Sequence, residues 1–408
     1  MEVAIVGGGI SGLTAALELH ARGIGARVYE STPELRPVGV GISLLPHGAR
    51  ELDALGLLDG IRARAVPYRE ACFFNSFGQL IHRDPADPRF PQFLVHRADL
   101  HEVLLEAVRE RLGEQAVVLG CTCVGVDQDA TGAVARFVGT RDGRALDDRR
   151  GDVVLACDGI HSAIRKQLYP GEGEPVFSGV NMWRGVTRHP PILSGGSHTR
   201  IGKVDTGKMV IYPIRDAVDD EGNQLTNWVA EVRDARGVPV DWNRGGRLED
   251  FLPVYADWRF DWLDVPGLLS RAEVIYEFPM SDRDPVEQWA FGRVALIGDA
   301  AHPMIPRGSN GAMQAIVDAR VVAEALASEE TPEAALRAYE DARLETVNAI
   351  VLRNRTTPPD SLIELVERRT GPRPFERIED VISRDEIRDI LEGYKALTGS
   401  SHEALGAR

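Results

Sequence analysis

Residues 2–30 constrain the chain more than any other stretch. An apolar run rich in β-branched residues, residues 2–6 (EVAIV), leads directly into Gly7-Gly8-Gly9-Ile10-Ser11-Gly12. Such a run reads as a buried parallel strand. Leu13, Ala16, Leu17 and His20 follow at helical spacing, Gly23 and Gly25 stop the helix, and residues 26–30 form a second strand that ends in Glu30. Gly7, Gly9 and Gly12 satisfy G-x-G-x-x-G. The first permits a tight turn, the second leaves room for a pyrophosphate, and the third lets helix and strand pack closely. Ser11 lies in the same turn, where the helix N-terminus offers unpaired N–H groups to phosphates. Glu30 follows Gly12 by 18 residues, close to the spacing of an acid that binds ribose hydroxyls. A lone glycine triplet could be only a Gly-rich turn. The strand before it, the helix after it and the acid beyond make it a dinucleotide site, though this unit does not distinguish FAD from NAD.

Composition narrows the classes. The 62 acidic residues outnumber 47 Lys and Arg, giving a net charge of −15 over 408 residues. Such a surface repels phosphate backbones, so no nucleic-acid partner is expected. At ~100–200 residues per domain the length suggests two or three domains. A 43% hydrophobic, 27% charged chain is not wholesale disordered. No apolar run reaches the ~18–20 residues that span a bilayer, and the N-terminus lacks the features of a secretory signal. The four cysteines, 72, 121, 123 and 157, make neither a disulfide framework nor a convincing zinc site, so no metal is expected. The expectation is a reduced, cytoplasmic chain.

Two later segments repeat the strand-then-acid pattern. Residues 152–157 (DVVLAC) precede Asp158-Gly159-Ile160-His161-Ser162-Ala163-Ile164-Arg165, and residues 293–297 (RVALI) precede Gly298-Asp299-Ala300-Ala301-His302-Pro303. Both put an acid past a strand's carboxyl end, where ligands bind in open α/β sheets. Either alone could be a turn Asp or a helix cap; three such sites in one chain argue against independent turns. Over roughly residues 1–355 the sequence resembles the flavin-dependent aromatic hydroxylases, single-component FAD monooxygenases with a para-hydroxybenzoate-hydroxylase-like fold. Gly7/Gly9/Gly12, Asp158-Gly159-x-x-Ser162-x-x-Arg165 and Gly298-Asp299 match that family's three signatures in order and spacing. Within it the chain is most similar to phenazine-carboxylate hydroxylases, through Arg36-Pro37-x-Gly39-Val40-Gly41-Ile42, Met182-Trp183-Arg184-Gly185-Val186, Asp241-Trp242-Asn243-Arg244 and Gly308-x-Asn310-Gly311-Ala312.

The resemblance implies an α/β fold: a Rossmann-like, GR2-type FAD domain (1–70, 97–175, 280–355), an antiparallel-sheet substrate domain (71–96, 176–279) and a C-terminal helical appendage (356–408). It implies that Glu30 holds the adenosine ribose, Arg97 the phosphate and ribitol region, Val124 the adenine through its backbone, and Asp299 the ribitol. Asp158 and Arg165 would serve FAD and a passing NADH or NADPH, and Arg36 and Gly41 would join the cofactor contacts. The implied chemistry is reduction of FAD by NAD(P)H, then O₂ activation as a C4a-hydroperoxide that hydroxylates or epoxidises an aromatic, polycyclic or polyketide-type small molecule. A flavin reductase or oxidase on the same scaffold shares every cofactor motif and stays open, as does the choice of monomer or homodimer.

In residues 303–318, Pro303 and Pro306 stiffen the approach and Gly308 and Gly311 leave backbone bare for a planar ring. A helix from about Gly311 to Leu326 would direct its N-terminus, with Ala312, at the flavin N1–C2 edge; a small-residue core helix is the plainer alternative. Strand-like runs at 180–187, 208–214 and 226–233 offer Trp183, Met209, Ile211, Tyr212 and Trp228 as pocket walls, though alternation along a strand explains any single one of them more simply as core. Tyr212 and the flavin-adjacent Pro303 are the candidate catalytic contacts. Arg184 could pair with a substrate carboxylate or form a structural ion pair, and Leu45 and His47 could approach the ring. Residues 399–408 read as a frayed tail.

Overall fold

The protein is described by a computed structural model covering residues 1–34, 40–233 and 245–406. Arg36 and the 241–244 stretch lie outside the described residues.

The apolar run Glu2–Val6 is the centre of a six-stranded sheet ordered Ala290–Phe291, Val294–Leu296, Val153–Ala156, Glu2–Val6, Gly25–Glu30, Val117–Leu119. All neighbours are parallel except the Ala290–Phe291 edge. The three strands read from sequence therefore lie side by side, and each ends at the same edge. The chain leaves Glu2–Val6 toward Gly25–Glu30 and returns on the other side as Val153–Ala156. That reversal opens a crevice at the carboxyl ends, the place where such sheets bind ligands. Val153 to Ala156 are all buried, as a strand covered on both faces requires. The Ile10–Ala21, Arg97–Leu112 and Gly311–Ser328 helices share this core with the Cys121–Asp129, Gly132–Gly139, Arg149–Gly151 sheet.

A seven-stranded sheet stands across the crevice, ordered Ile275–Asp282, Val176–His189, Gln224–Arg233, Gly207–Arg215, Ser197–Lys203, Glu70–Phe74, Leu80–Pro85. Neighbours are antiparallel except Ser197–Lys203 with Glu70–Phe74. Alternation gives it two faces. Trp183, Met209, Ile211 and Trp228 pack on Phe251 and Tyr255 in one cluster. Met182, Val229, Phe278 and half-buried Val210 pack with Ile305 in another. The Phe93–His96 strand, expected with this sheet, instead pairs with Gly41–Leu44 and Val66–Pro67, beside the crevice.

Beyond the long Pro332–Thr356 helix, Ser361–Thr370 and Arg384–Thr398 cover the sheet's Glu70–Phe74 end through Ala71, Phe73, Leu362, Ile363, Val366, Ile387 and Leu391. Ser383 and Glu386 form a capping box that starts the second of these. Charge joins the appendage to the sheet: Asp360 meets Lys208 at 2.6 Å and Arg200 at 3.1 Å, and Lys208 also meets Glu231 at 2.9 Å, all nearly buried. The expected frayed tail is corrected over 402–406, a helical turn with Leu405 buried, because Leu405 gives that turn an apolar anchor. No helix among the described residues is long and apolar enough to cross a membrane.

Candidate active site

The glycine motif is shaped by three different constraints. Gly7 sits at φ 105°, and a Cβ there would overlap the Cys157 carbonyl of the neighbouring strand end. A Cβ on Gly12 would overlap the Gly7 carbonyl, so helix and strand touch backbone to backbone. Gly9 has nothing among the described residues within 4 Å of where a Cβ would stand. The motif thus closes the backbone around an open space at the helix N-terminus, where Gly9 bears no capping side chain. An open space at a helix N-terminus suits a phosphate group. Glu30 borders it, accepting from the Gly8 N–H at 2.7 Å and the Thr32 N–H at 2.7 Å. Burial would raise its carboxyl, but the hydrogen bonds from Thr32 and Gly8 outweigh it and hold the group ionised below its ordinary range. Val124 lies at a register shift: Cys123 and Gly125 pair with Phe137 and Arg136, and Val124 is the extra residue between them, 52% exposed. A bulge leaves backbone groups unpaired, as a backbone contact to a base requires. Ser11 packs where a Cβ on Gly298 would fall, so the first and third strand ends meet at that residue.

Asp158 accepts from the Ala163 N–H at 2.9 Å through one oxygen, while the other is enclosed with no partner among the described residues. Burial raises its carboxyl. Arg165, expected to touch FAD or the nicotinamide nucleotide, has another role. It is 1% exposed, and all its donors are engaged: Glu172, the Asp284 carbonyl, and the Ala300 and Ala301 carbonyls at 3.0 and 2.6 Å. It fastens the second strand end to the segment after Asp299 and has no donor left for a nucleotide. Gly41 is similarly corrected. Its N–H donates to Asn227 at 2.7 Å and its carbonyl accepts from Arg184 at 3.1 Å. A Cβ there would strike Tyr212, Ile214 and Asn227. It joins the loop to the substrate sheet, and its only donor is already engaged there.

Asp299 is exposed on the crevice. The surrounding protein raises its carboxyl, with His302 and Arg97 pulling it down. Arg97, exposed at the start of its helix, acts electrostatically on both Asp299 and Arg184. Behind Asp299, His302 contacts Asp318 at 2.5 Å and Arg343 donates to the other Asp318 oxygen at 2.8 Å, which fixes the turn. A raised folded-state pKa means that the ionised group destabilises the empty protein and that stability is gained as pH falls through that value. Asp299→Asn is therefore expected to leave the apoprotein at least as stable at neutral pH, by thermal unfolding. FAD affinity, by fluorescence titration, should weaken about tenfold, the scale of one hydrogen bond to a charged group.

A Cβ on Gly311 would lie near Met304 and the Asp299 carboxylate, so the Gly311–Ser328 helix begins beside Asp299. Its N-cap residue, Asn310, makes no side-chain cap. The first N–H groups, those of Gly311 and Ala312 among them, thus have no acceptor among the described residues and present a positive dipole end at the crevice. Pro303 is buried just before this turn. His47 is buried 3.5 Å from Gln314, and burial, with Arg343 and Arg50, pushes its pKa to about 3; it is neutral. Leu45 packs by its backbone N–H on Met313.

The pocket wall differs from expectation. Trp183, Met209, Ile211 and Trp228 belong to the sheet face turned away from the crevice, where Trp183 stacks on Phe251 with centroids 5.0 Å apart. Tyr212 is on the crevice face, 5% exposed, hydrogen-bonded to Arg184 and stacked on His198 at 4.8 Å. Sequence reasoning missed its companions Met182, Val210, Val229, Phe278 and Ile305. Strand parity was the available signal: residues two apart share a face, so Tyr212 selects Val210 and excludes Met209 and Ile211. Arg184 is on the same face, paired across strands with Val229 and Tyr276. Its Nε is enclosed without a partner and it forms no ion pair among the described residues. Burial lowers its pKa from the ordinary arginine value, Arg97 adding to the fall and Tyr212 and, more weakly, the Glu231 carboxylate opposing it.

The groove, its uncapped helix ends and its acids fit FAD, and comparison with known proteins agrees. A family model described as an FAD binding domain matches residues 1–241 and 263–354. The chain is 37% identical over 410 residues to phenazine 1,6-dicarboxylic acid hydroxylase of Lysobacter antibioticus, covering 98% of both. It is 34% identical to 3-amino-4-hydroxybenzoate 2-monooxygenase of Streptomyces platensis, covering 87% of both. The solved structure of 2,6-dihydroxypyridine-3-hydroxylase from Arthrobacter nicotinovorans superposes with a TM-score of 0.70 at 26% identity, covering 86% of this chain and 90% of that one. The chain therefore belongs to the FAD-binding family of flavin-dependent aromatic hydroxylases.

Proposed function

We propose that the protein hydroxylates an aromatic carboxylic acid, held on the crevice face of the seven-stranded sheet by Arg184. One observation carries the substrate reading: a half-buried guanidinium with an enclosed, unsatisfied Nε and no ion pair among the described residues, set next to the apolar side chains of Met182, Val210 and Val229. A flat ring suits the apolar floor, and a carboxylate suits a guanidinium. The relatives named for phenazine dicarboxylic acid and aminohydroxybenzoate support the same class.

Gly9, Ser11, Glu30, Arg97, Val124, Asp158, Asp299, Gly311 and Ala312 would hold FAD, from adenine at Val124 to the flavin edge at Gly311. When bound, FAD accepts a hydride from NADH or NADPH and activates O₂. The chain's own work is placement. The Gly9 space and the Ile10–Ala21 N-terminus bind the pyrophosphate, Asp299 and Arg97 fix the middle, and the uncapped Gly311–Ser328 helix favours negative charge at the flavin edge. The sheet face covers the reacting ring and excludes water. Tyr212, its hydroxyl pushed up by burial with Arg184 opposing, stays protonated and holds Arg184 in place.

Arg184→Met tests the reading. With an aromatic acid that supports turnover, KM is expected to rise ~10- to 100-fold, the worth of a charge-assisted pair. FAD content should be unchanged and the neutral amide of the same compound little affected. Equal losses for acid and amide would overturn the assignment.

A further inference from the structure

The turn that delivers the Gly311–Ser328 helix is held in an unfavourable shape. Gly308 has φ 82° and Ser309, a non-glycine residue, has φ 59°, a conformation that persists only where its surroundings fix it. Asn310 is also unusual. An Asn at an N-cap ordinarily takes extended dihedrals and caps its own helix; Asn310 has φ −96° and ψ −21° and no cap bond. Its amide nitrogen instead donates to the Gly308 carbonyl at 2.9 Å and to the Tyr394 hydroxyl at 3.1 Å, and its oxygen accepts from the Gln314 side chain at 3.4 Å.

Tyr394 comes from the Arg384–Thr398 helix, beyond the end of the family match at residue 354. Its hydroxyl lies where a Cβ on Gly308 would fall, approaches the Arg307 carbonyl at 3.3 Å, and donates to Asn354 Oδ1 at 2.6 Å. Tyr394, Asn310 and Asn354 are all buried, at 4%, 1% and 0%. The network has no outlet to solvent and defines the turn.

We propose that Tyr394 is a positioning residue for the flavin: from the C-terminal appendage it holds the Gly308–Asn310 turn and orients the Asn310 amide so that its oxygen faces the Gln314 side chain rather than the backbone of the helix start, and the first N–H groups of that helix remain free for the cofactor. This rests on the reading that Gly311 and Ala312 face the flavin. Without the Tyr394 hydroxyl, Ser309 and Asn310 relax toward ordinary dihedrals, the Asn310 carbonyl oxygen caps the helix, and less donor capacity remains for the charge that reduction places at the flavin edge.

The test is the two-electron midpoint potential of bound FAD, measured by dye equilibration. Tyr394→Phe is expected to weaken binding of reduced relative to oxidised FAD about tenfold, a fall of about 30 mV. Asn310→Ala alone should barely move it, and Tyr394→Phe with Asn310→Ala should return it toward the wild-type value, since no amide is left to cap. An unchanged potential in Tyr394→Phe, or a double variant as low as the single one, overturns the proposal. If Tyr394→Phe does not hold FAD, Asn354→Ala, which removes the hydroxyl's acceptor, is read in the same way. Ala312→Asp separates the two layers. A lowered potential, or expulsion of FAD, supports the placement of the helix against the flavin. No effect overturns that placement and the Tyr394 role with it.

Discussion

Gly9→Val is expected to give a folded, colourless protein. Gly9 has φ −77° and ψ −173°, ordinary extended backbone that valine adopts readily, and nothing among the described residues lies within 4 Å of its missing Cβ. The substitution therefore meets no native contact, and the apoprotein should keep its stability to within ~0.5 kcal/mol. The same open space is where the pyrophosphate must approach the helix N-terminus, and the valine methyls fill it. FAD affinity should fall by more than about 100-fold, through loss of phosphate hydrogen bonds of ~1.5–3 kcal/mol each. Flavin absorbance of the purified variant and a thermal melt of the apoprotein read the two halves separately. A yellow variant with one FAD per chain would refute the role of Gly9. Gly7 and Gly12 lack this separation of folding from binding, because a Cβ at either overlaps backbone.

Asp360→Ala is expected to cost ~3–5 kcal/mol of stability, the penalty for breaking a buried pair from one side. Burial alone would raise the Asp360 carboxyl, but Lys208 and Arg200 overcome it and hold the pKa at about 2. Removing the carboxylate leaves Lys208 with Glu231 alone and Arg200 with no carboxylate among its ion pairs. A depressed folded-state pKa contributes stability that is full above the unfolded value and lost as pH falls toward 2. The wild-type advantage over the variant should accordingly shrink in acid. Urea unfolding at neutral pH and at pH 3 measures both. An unchanged midpoint would mean that the appendage is held by its apolar contacts alone.

The cofactor side of the fold was legible because each of its signals is local. Gly7, Gly9, Gly12 and Glu30 sit in one strand–helix–strand unit, and Gly298-Asp299 directly follows a run of buried apolar residues. The substrate side was not. Trp183 and Trp228 are large aromatics on strands, and size suggested a pocket; only the pairing of four strands shows which parity faces the crevice. Arg165 reads as a ligand from its motif, yet its partners, Glu172, Asp284, Ala300 and Ala301, come from three parts of the chain that sequence does not bring together. Tyr394 carried no signal at all. It lies 84 residues from Asn310, and nothing in residues 384–398 beyond amphipathic spacing tells which side chain reaches the Gly308–Asn310 turn.

The most direct measurement of the central claim is isotopic. The FAD-loaded protein is incubated with NADH or NADPH, an aromatic carboxylic acid that stimulates their oxidation, and ¹⁸O₂, and the product is weighed by mass spectrometry. One ¹⁸O in the product for each nicotinamide oxidised is the predicted result. Nicotinamide oxidation that yields only labelled hydrogen peroxide, with every candidate acid recovered intact, would contradict it and leave a flavin reductase or oxidase on this scaffold.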